Sequence, residues 1–181
     1  MACGTHELED ADRCWRFNGS SWSPMPNSNQ AHCRADTSNI MVNGSWWVIG
    51  KLQSGYDYCS DTTTSEVFTE HNTWIPGPTF PGDEYPTLPC LVNLNTTHTM
   101  MIGGYPARRD AWLYNWRTQE WTRTGSLIQG RRHHGCLSLD DKGVLVVGGG
   151  YGRNAYTVEL YNPTQGTWSS QPNLPRYIDP I

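Results

Sequence analysis

Arginine carries most of the chemical potential in this sequence. Arg108 and Arg109, Arg131 and Arg132, and Arg153 fall in short polar stretches beside rings, namely Tyr105, His133 and Tyr151. A guanidinium fork binds a planar anion through two parallel hydrogen bonds, so arginines framed by aromatic and imidazole rings suit recognition of carboxylates. The plainer alternative, ordinary solvated surface arginines, fits the same residues. Alanine at Arg108 and Arg132 separates the two, because only the first reading ties them to an acidic partner.

Other chemistries find less support. Gly148-Gly149-Gly150-Tyr151-Gly152 follows an apolar run and imitates a dinucleotide loop, but Arg153 stands where the last glycine belongs and no helical stripe follows. Motifs for a phosphate-binding loop, a nucleophile elbow or a zinc protease helix are absent from the sequence. His32-Cys33 and His133-His134-x-Cys136 hold metal-capable side chains without zinc-finger spacing, so packing is favoured and neither a metal nor a cofactor is expected. No Lys/Arg cluster with stacking aromatics points to nucleic acid. The longest apolar runs, such as Val144 to Val147, are far too short to span a bilayer, and no signal peptide is visible at the start.

The elements that must position these residues are short and numerous. The chain has 181 residues, with 18 glycines and 12 prolines against only 3 phenylalanines, and its formal net charge is −4. The first 90 residues carry 4 basic and 11 acidic side chains and the remainder 9 and 6, so the arginine-rich half is also the positive half. Runs of four to six apolar or β-branched residues alternate with turn residues, and no helical stripe of useful length occurs. Asn18-Gly19 and Asn43-Gly44 read as hairpin turns, since Asn-Gly accepts the positive φ of a type I′ turn.

These runs repeat. Trp22, Trp74, Trp121 and Trp168 are separated by 52, 47 and 47 residues, and each follows an aromatic residue: Phe17, Phe68, Tyr114 and Tyr161. An apolar run ending in glycine precedes the last three, and Cys33, Cys90 and Cys136 open those units. Four short strands per unit cannot bury both faces alone, so units must stack radially as the blades of a propeller. The paired glycine, later aromatic and final tryptophan, seen as Gly103-Gly104, Tyr114, Trp121 and as Gly148-Gly149, Tyr161, Trp168, resemble the kelch repeat. Gly50-Lys51 and Phe68 depart from that pattern in the first complete unit.

The expected fold is therefore all-β, a kelch-type β-propeller of about three and a half four-stranded blades in an incomplete ring. Residues 1–26 form a partial blade, 27–78, 82–125 and 130–175 three further blades, and 176–181 a tail toward a missing one. Open edges and an uncovered blade face require further blades or self-association.

Up-and-down strand order puts the loops joining strands one to two and three to four on one face. The sequons Asn18-Gly19-Ser20, Asn43-Gly44-Ser45 and Asn95-Thr96-Thr97 all fall there, making Asn18, Asn43 and Asn95 glycosylation candidates, although Asn-Gly-Ser is also good turn chemistry. Cys3 and Cys14 are hairpin neighbours and a disulfide candidate, as in secreted kelch-type proteins that this chain resembles. Cys33, Cys90 and Cys136 are expected to be small buried residues rather than bridges, and Cys59 lacks a nameable partner. The opposite face collects the loops Lys51 to Thr64, Tyr105 to Asp110 and Tyr151 to Asn154, with the interblade segment Gly130 to His133.

The resemblance implies partner recognition through that second face, with arginines reading carboxylates. Tyr105, Arg108, Arg109, Arg131, Arg132, His133, Tyr151 and Arg153 are the binding candidates. The expected function is a non-catalytic module binding an acidic protein or peptide, in a secreted or extracellular setting. The alternatives are a fragment of an intracellular kelch substrate receptor for a ubiquitin ligase and, less favoured, a fragment of a copper enzyme similar to galactose oxidase.

Overall fold

A computed structural model describes residues 2–3, 12–30, 32–33, 39–54, 58–82, 85–149 and 155–175; the side chains of 2–3, 33, 51–54, 58–62 and 141 lie outside that description. The chain divides into two compact units, Met1–Thr87 and Leu88–Ile181.

The first unit holds two sheets. One joins β1 (Ala2–Cys3), β2 (Cys14–Phe17) and β3 (Trp22–Pro24) in that order. The other runs β4 (His32–Cys33), β6 (Ser45–Ser54), β7 (Tyr58–Phe68) and β8 (Trp74–Pro76), with β5 (Asn39–Val42) also pairing along β6. Strand one of this blade is thus carried in two pieces. Asn43 and Gly44 adopt φ of 48° and 80°, the two positive values that a type I′ turn between β5 and β6 demands.

One expectation for this unit is corrected. Lys51 to Thr64 is not a loop: β6 and β7 continue as a long hairpin, with Gly50 opposite Thr64 and Ser54 opposite Tyr58, and a register shift between Lys51 and Gln53. The threonine run Thr62-Thr63-Thr64 is β-branched and favours strand, which outweighs the polarity that suggested a loop.

The second unit holds two regular four-stranded antiparallel sheets. One is β9 (Cys90–Asn93), β10 (His98–Ile102), β11 (Ala111–Asn115) and β12 (Glu120–Arg123), and the other β13 (Gly135–Ser138), β14 (Val144–Val147), β15 (Val158–Asn162) and β16 (Thr167–Gln171). A 3-10 turn at Asp140–Lys142 connects β13 to β14.

Period-two alternation gives each sheet two faces, and register shows which residues share one. The aromatic of strand three stands directly across from the tryptophan of strand four in all four sheets: Phe17–Trp22, Phe68–Trp74, Tyr114–Trp121 and Tyr161–Trp168. Their ring centroids lie 5.2, 5.1, 5.0 and 5.1 Å apart, a spacing that adds about 0.5–1.5 kcal/mol beyond area burial. We call the face bearing this pair the leading face and its reverse the trailing face.

In each unit, the leading face of the later sheet packs on the trailing face of the earlier one. Trp46, Val48, Phe68 and Trp74 meet Cys14 and Met25 in the first unit. In the second, Val144, Val146 and Tyr161 meet Val92, Met100, Ile102 and Ala111, with Leu127 from the connecting segment. The tryptophan also reaches back to the connection, as Trp74 Nε1 donates to Pro26 O at 2.9 Å and Trp168 Nε1 to Gly125 O at 2.8 Å. Pro26 and Gly125 each lie four residues past the preceding tryptophan, so the same bond recurs.

A second correction concerns cysteine. Cys90 and Cys136 form a disulfide with Cα atoms 6.1 Å apart, joining the first strands of adjacent sheets. Their spacing suggested equivalent positions, but the ladders show otherwise. Cys90 pairs with Ile102, just before Gly103, whereas Gly135 pairs with Val147, just before Gly148. Cys136 is therefore one residue out of step, and one residue turns a side chain to the other face of a strand. Cys90 sits on a trailing face and Cys136 on a leading face, so the two point toward each other.

Cys14 is also disulfide-bonded, and Cys3 is its register partner across β1 and β2; the Cys3 side chain lies outside the described residues. Among the described residues no cysteine is free.

Candidate functional site

The loop between β10 and β11 and the segment between β12 and β13 are held together through backbone bonds. Gly103 N donates to Asp110 O at 2.9 Å and closes the first loop on itself. Gly104 N then donates to Arg131 O, and Arg131 N to Arg108 O, both at 2.9 Å, forming a bridge between Arg108 and Arg131. Leu127 N donates to Arg109 O at 2.8 Å, and Arg109 Nε returns a bond to Leu127 O at 2.6 Å. The two segments behave as one platform.

Six of the eight binding candidates lie on it, five of them with exposed or half-buried side chains. Tyr105 is 51% exposed, Arg109 is exposed, and Arg108, Arg132 and His133 are half-buried. Arg132 lies over Tyr105, its guanidinium carbon 5.0 Å from the ring centroid, a cation–π contact. The nearby Asp110 carboxylate pairs with Arg123, which limits its competition for the platform. Tyr151 and Arg153 lie outside the described residues.

Arg131 is a correction. It is fully buried, and its guanidinium is consumed internally: Nε and Nη2 donate to Glu159 Oε1 at 3.1 and 2.8 Å, Nη2 to Thr157 Oγ1 at 2.7 Å, and Nη1 to the carbonyls of Thr157 and Gly148. Glu159 also accepts from the backbone of Ile128 and Gln129 at 2.7 and 3.0 Å. A buried, saturated guanidinium anchors the platform from beneath and has no donor left for a ligand.

The same latch exists in the first unit. Glu66 accepts from Gln30 N at 3.0 Å and Asn29 Nδ2 at 2.7 Å, and lies 2.9 Å from His32 Nε2. Burial alone would raise the Glu66 carboxyl pKa, but these bonds and His32 together bring it below its ordinary value. Gln30 and Gln129 each stand eight residues past a tryptophan, and His32 and Arg131 each stand ten past. That spacing was the available signal that Arg131 belongs with buried His32 and not with the surface arginines.

His134 completes the underside. It is 3% exposed and sits between the glycine pairs of the two sheets: a Cβ at Gly103 would meet His134 Cε1 at 2.8 Å, and one at Gly149 would meet His134 Cβ at 2.5 Å. The glycines are required here by close approach as well as by φ of +64° and +81°. Burial, with the adjacent Arg131 and His133 charges, pushes the His134 pKa down to about 3, so the ring is neutral at physiological pH.

The sequon asparagines sit on exposed turns. Asn18 Oδ1 accepts from the backbone of Ser20 and Ser21, and Asn95 Oδ1 from that of Thr97 and His98. Asn115 and Asn162, outside any sequon, bind the backbone two and three residues on in the same way. This turn chemistry accounts for an asparagine at these positions with or without a glycan.

Among the described residues, no group of three or more His, Cys, Asp or Glu could hold a metal, and no helix is long and apolar enough to cross a membrane.

The fourth sheet, β13–β16, matches a family model directly, as the Kelch motif covers residues 130–175. The chain belongs to the kelch-repeat family. Its sheets are the blades of an incomplete kelch propeller. It is 28% identical over 110 residues to Kelch-like protein 35 of Mus musculus, covering 60% of this chain and 19% of that protein. It is 32% identical over 124 residues to Kelch-like protein 24 of Homo sapiens, covering 68% of this chain and again 19% of the relative. The kelch chain thus spans less than a fifth of the length of these relatives.

Proposed function

We propose that these kelch blades are a non-catalytic protein-binding module that engages an acidic segment of its partner through the platform of the second unit. The observation that carries this reading is the pairing of the two loops through the Arg108–Arg131 backbone bridge, with Arg132 over the Tyr105 ring, so that less order has to be imposed on binding. Arg132 and Arg108 receive carboxylates, Tyr105 offers an apolar shelf, and Arg131 with Glu159 supports the base.

The test is fluorescence anisotropy with a labelled peptide containing consecutive Asp and Glu residues. Arg132→Ala and Arg108→Ala are each expected to weaken binding by about tenfold, the effect of losing one charge-assisted bond pair of roughly 1.5 kcal/mol. Added salt should weaken the wild type in the same direction. Unchanged affinity in both variants would return these arginines to ordinary surface.

An oxidising, extracellular setting is the compartment we infer, supported by the Cys90–Cys136 bond. The intact mass of the chain from its native source, measured without reductant, tests it: hexosamine on Asn95 together with bonded cysteines fits, whereas bare asparagines and free thiols favour an intracellular adaptor role.

A further inference from the structure

The disulfide between Cys90 and Cys136 is close along the chain to both platform segments and closes a ring with them. Cys90 pairs across the β9–β10 ladder with Ile102, two residues before Gly104. Gly104 N donates to Arg131 O, and five residues on from Arg131 the chain reaches Cys136. Strand pairing, the Gly104–Arg131 hydrogen bond and the disulfide thus form one circuit that runs through both segments. His134 lies on that circuit, in the gap that Gly103 leaves for it. A shift of β13 away from β9 would carry His134 with it, and with His134 the neighbouring Arg131 and Arg132.

Elsewhere the two sheets are joined without the bond. Val144, Val146 and Tyr161 pack on Val92, Met100, Ile102 and Ala111. The hydroxyls of Thr124 and Tyr161 share a hydrogen bond at 2.6 Å, Trp168 Nε1 reaches Gly125 O, and Arg131 pairs with Glu159 in the interior. By contrast, β9 and β13 are the end strands of their sheets, each held by ladder bonds on one side only. End strands are the first to move when a cross-link between them opens, so opening this one acts on the platform before it acts on the fold. Cys90 is 7% exposed and Cys136 half-buried, which makes Cys136 the more open point of attack.

We propose that the Cys90–Cys136 bond is a redox switch for the platform, which is held tightly in the oxidised chain and loosened in the reduced one. A dithiol reductant opens the bond. Its first thiolate attacks the sulfur of Cys136, forming a mixed disulfide and releasing the Cys90 thiolate; its second thiolate then displaces Cys136. Two electrons pass to the protein, both cysteines end protonated, and the reductant leaves as its own disulfide. The consequence for ligand affinity rests on the acidic-peptide reading; the loosening does not.

The experiment is amide hydrogen exchange by NMR on the whole chain, compared between the oxidised form and the form reduced with excess dithiothreitol. A third sample, the Cys90→Ser/Cys136→Ser double variant in oxidising buffer, removes this bond and leaves that of Cys14 in place. The amides of Gly104 and Arg131 should exchange at least about tenfold faster in the reduced chain and in the variant, and slow again when the wild type is reoxidised. Leu113 and Leu160, two strands away from the bond in their sheets, should keep their protection. Anisotropy with the acidic peptide on the same samples should show affinity falling by about threefold or more on reduction. Equal exchange at Gly104 and Arg131 in the two states, or peptide binding that is equally tight in both, overturns the proposal. Loss of protection at Leu113 and Leu160 also overturns it, because the bond would then hold the fold and not the platform. A peptide that binds neither form while Gly104 and Arg131 still respond would end the acidic-peptide reading and leave the switch standing.

Discussion

At the scale of single residues, the division between Arg131 and Arg132 decides what this surface can do. They are adjacent, yet one guanidinium is buried against Glu159 and the other lies over Tyr105. Arg131→Ala would leave the Glu159 carboxylate buried without its cation, and breaking a buried pair in this way costs about 3–5 kcal/mol. Chemical denaturation should show that loss. Arg131→His should be milder, because His32 performs the same task beside Glu66 in the first unit. If Arg131→Ala melts like the wild type, the latch contributes nothing and the platform is held by backbone bonds alone. Composition hid this difference, since Arg131 and Arg132 read alike in a list of loop arginines. Counting ten residues from Trp121, as from Trp22 to His32, distinguishes them.

At the scale of elements, the aromatic–tryptophan pairs and the glycine-terminated strands were legible because they repeat at nearly constant spacing, and repetition constrains a fold more than local propensity does. What escaped was parity. Cys136 looks like the counterpart of Cys90 when counted by unit, but strand pairing shifts it by one residue and turns it toward its neighbour. The β6–β7 hairpin escaped for a related reason: in sequence the outer parts of its two strands interrupt polar residues only with Leu52, Tyr58 and Cys59, too few and too irregular to mark an alternating strand. The packing of His134 between Gly103 and Gly149 gives this inner layer a pH dependence. Its folded pKa of about 3 lies below the ordinary value of 6.5, so the unfolded chain takes up the proton first. The stability that neutral His134 confers is complete above pH 6.5 and is lost as pH falls toward 3, by at most about 1.4 kcal/mol per pH unit. Glu66, whose carboxyl is held below its ordinary value, adds a loss of the same sign at lower pH. Unfolding midpoints should fall across that range in the wild type and fall less in His134→Phe; equal slopes would contradict the assignment.

At the scale of the molecule, the kelch blades divide their labour. The leading and trailing faces build contacts between sheets, the hairpin turns with Asn18, Asn43 and Asn95 lie at one set of strand ends, and the paired loops with Arg108 and Arg132 lie at the other. The repeat period announced the architecture, and the position of the loops announced which arginines to consider. Which of them remained accessible depended on side-chain packing between sheets, a property that no linear pattern contains.

The bond between Cys90 and Cys136 also makes the intervening chain topologically a closed loop. Arg117 sits in the exposed turn between β11 and β12, inside that loop. Tryptic hydrolysis after Arg117 should therefore add one water to the mass without releasing a fragment, and only a reductant should separate the pieces. A cut that frees two fragments without reductant would show the bond to be absent in solution. In a protease-rich setting, such a loop can be severed without its two paired segments parting company.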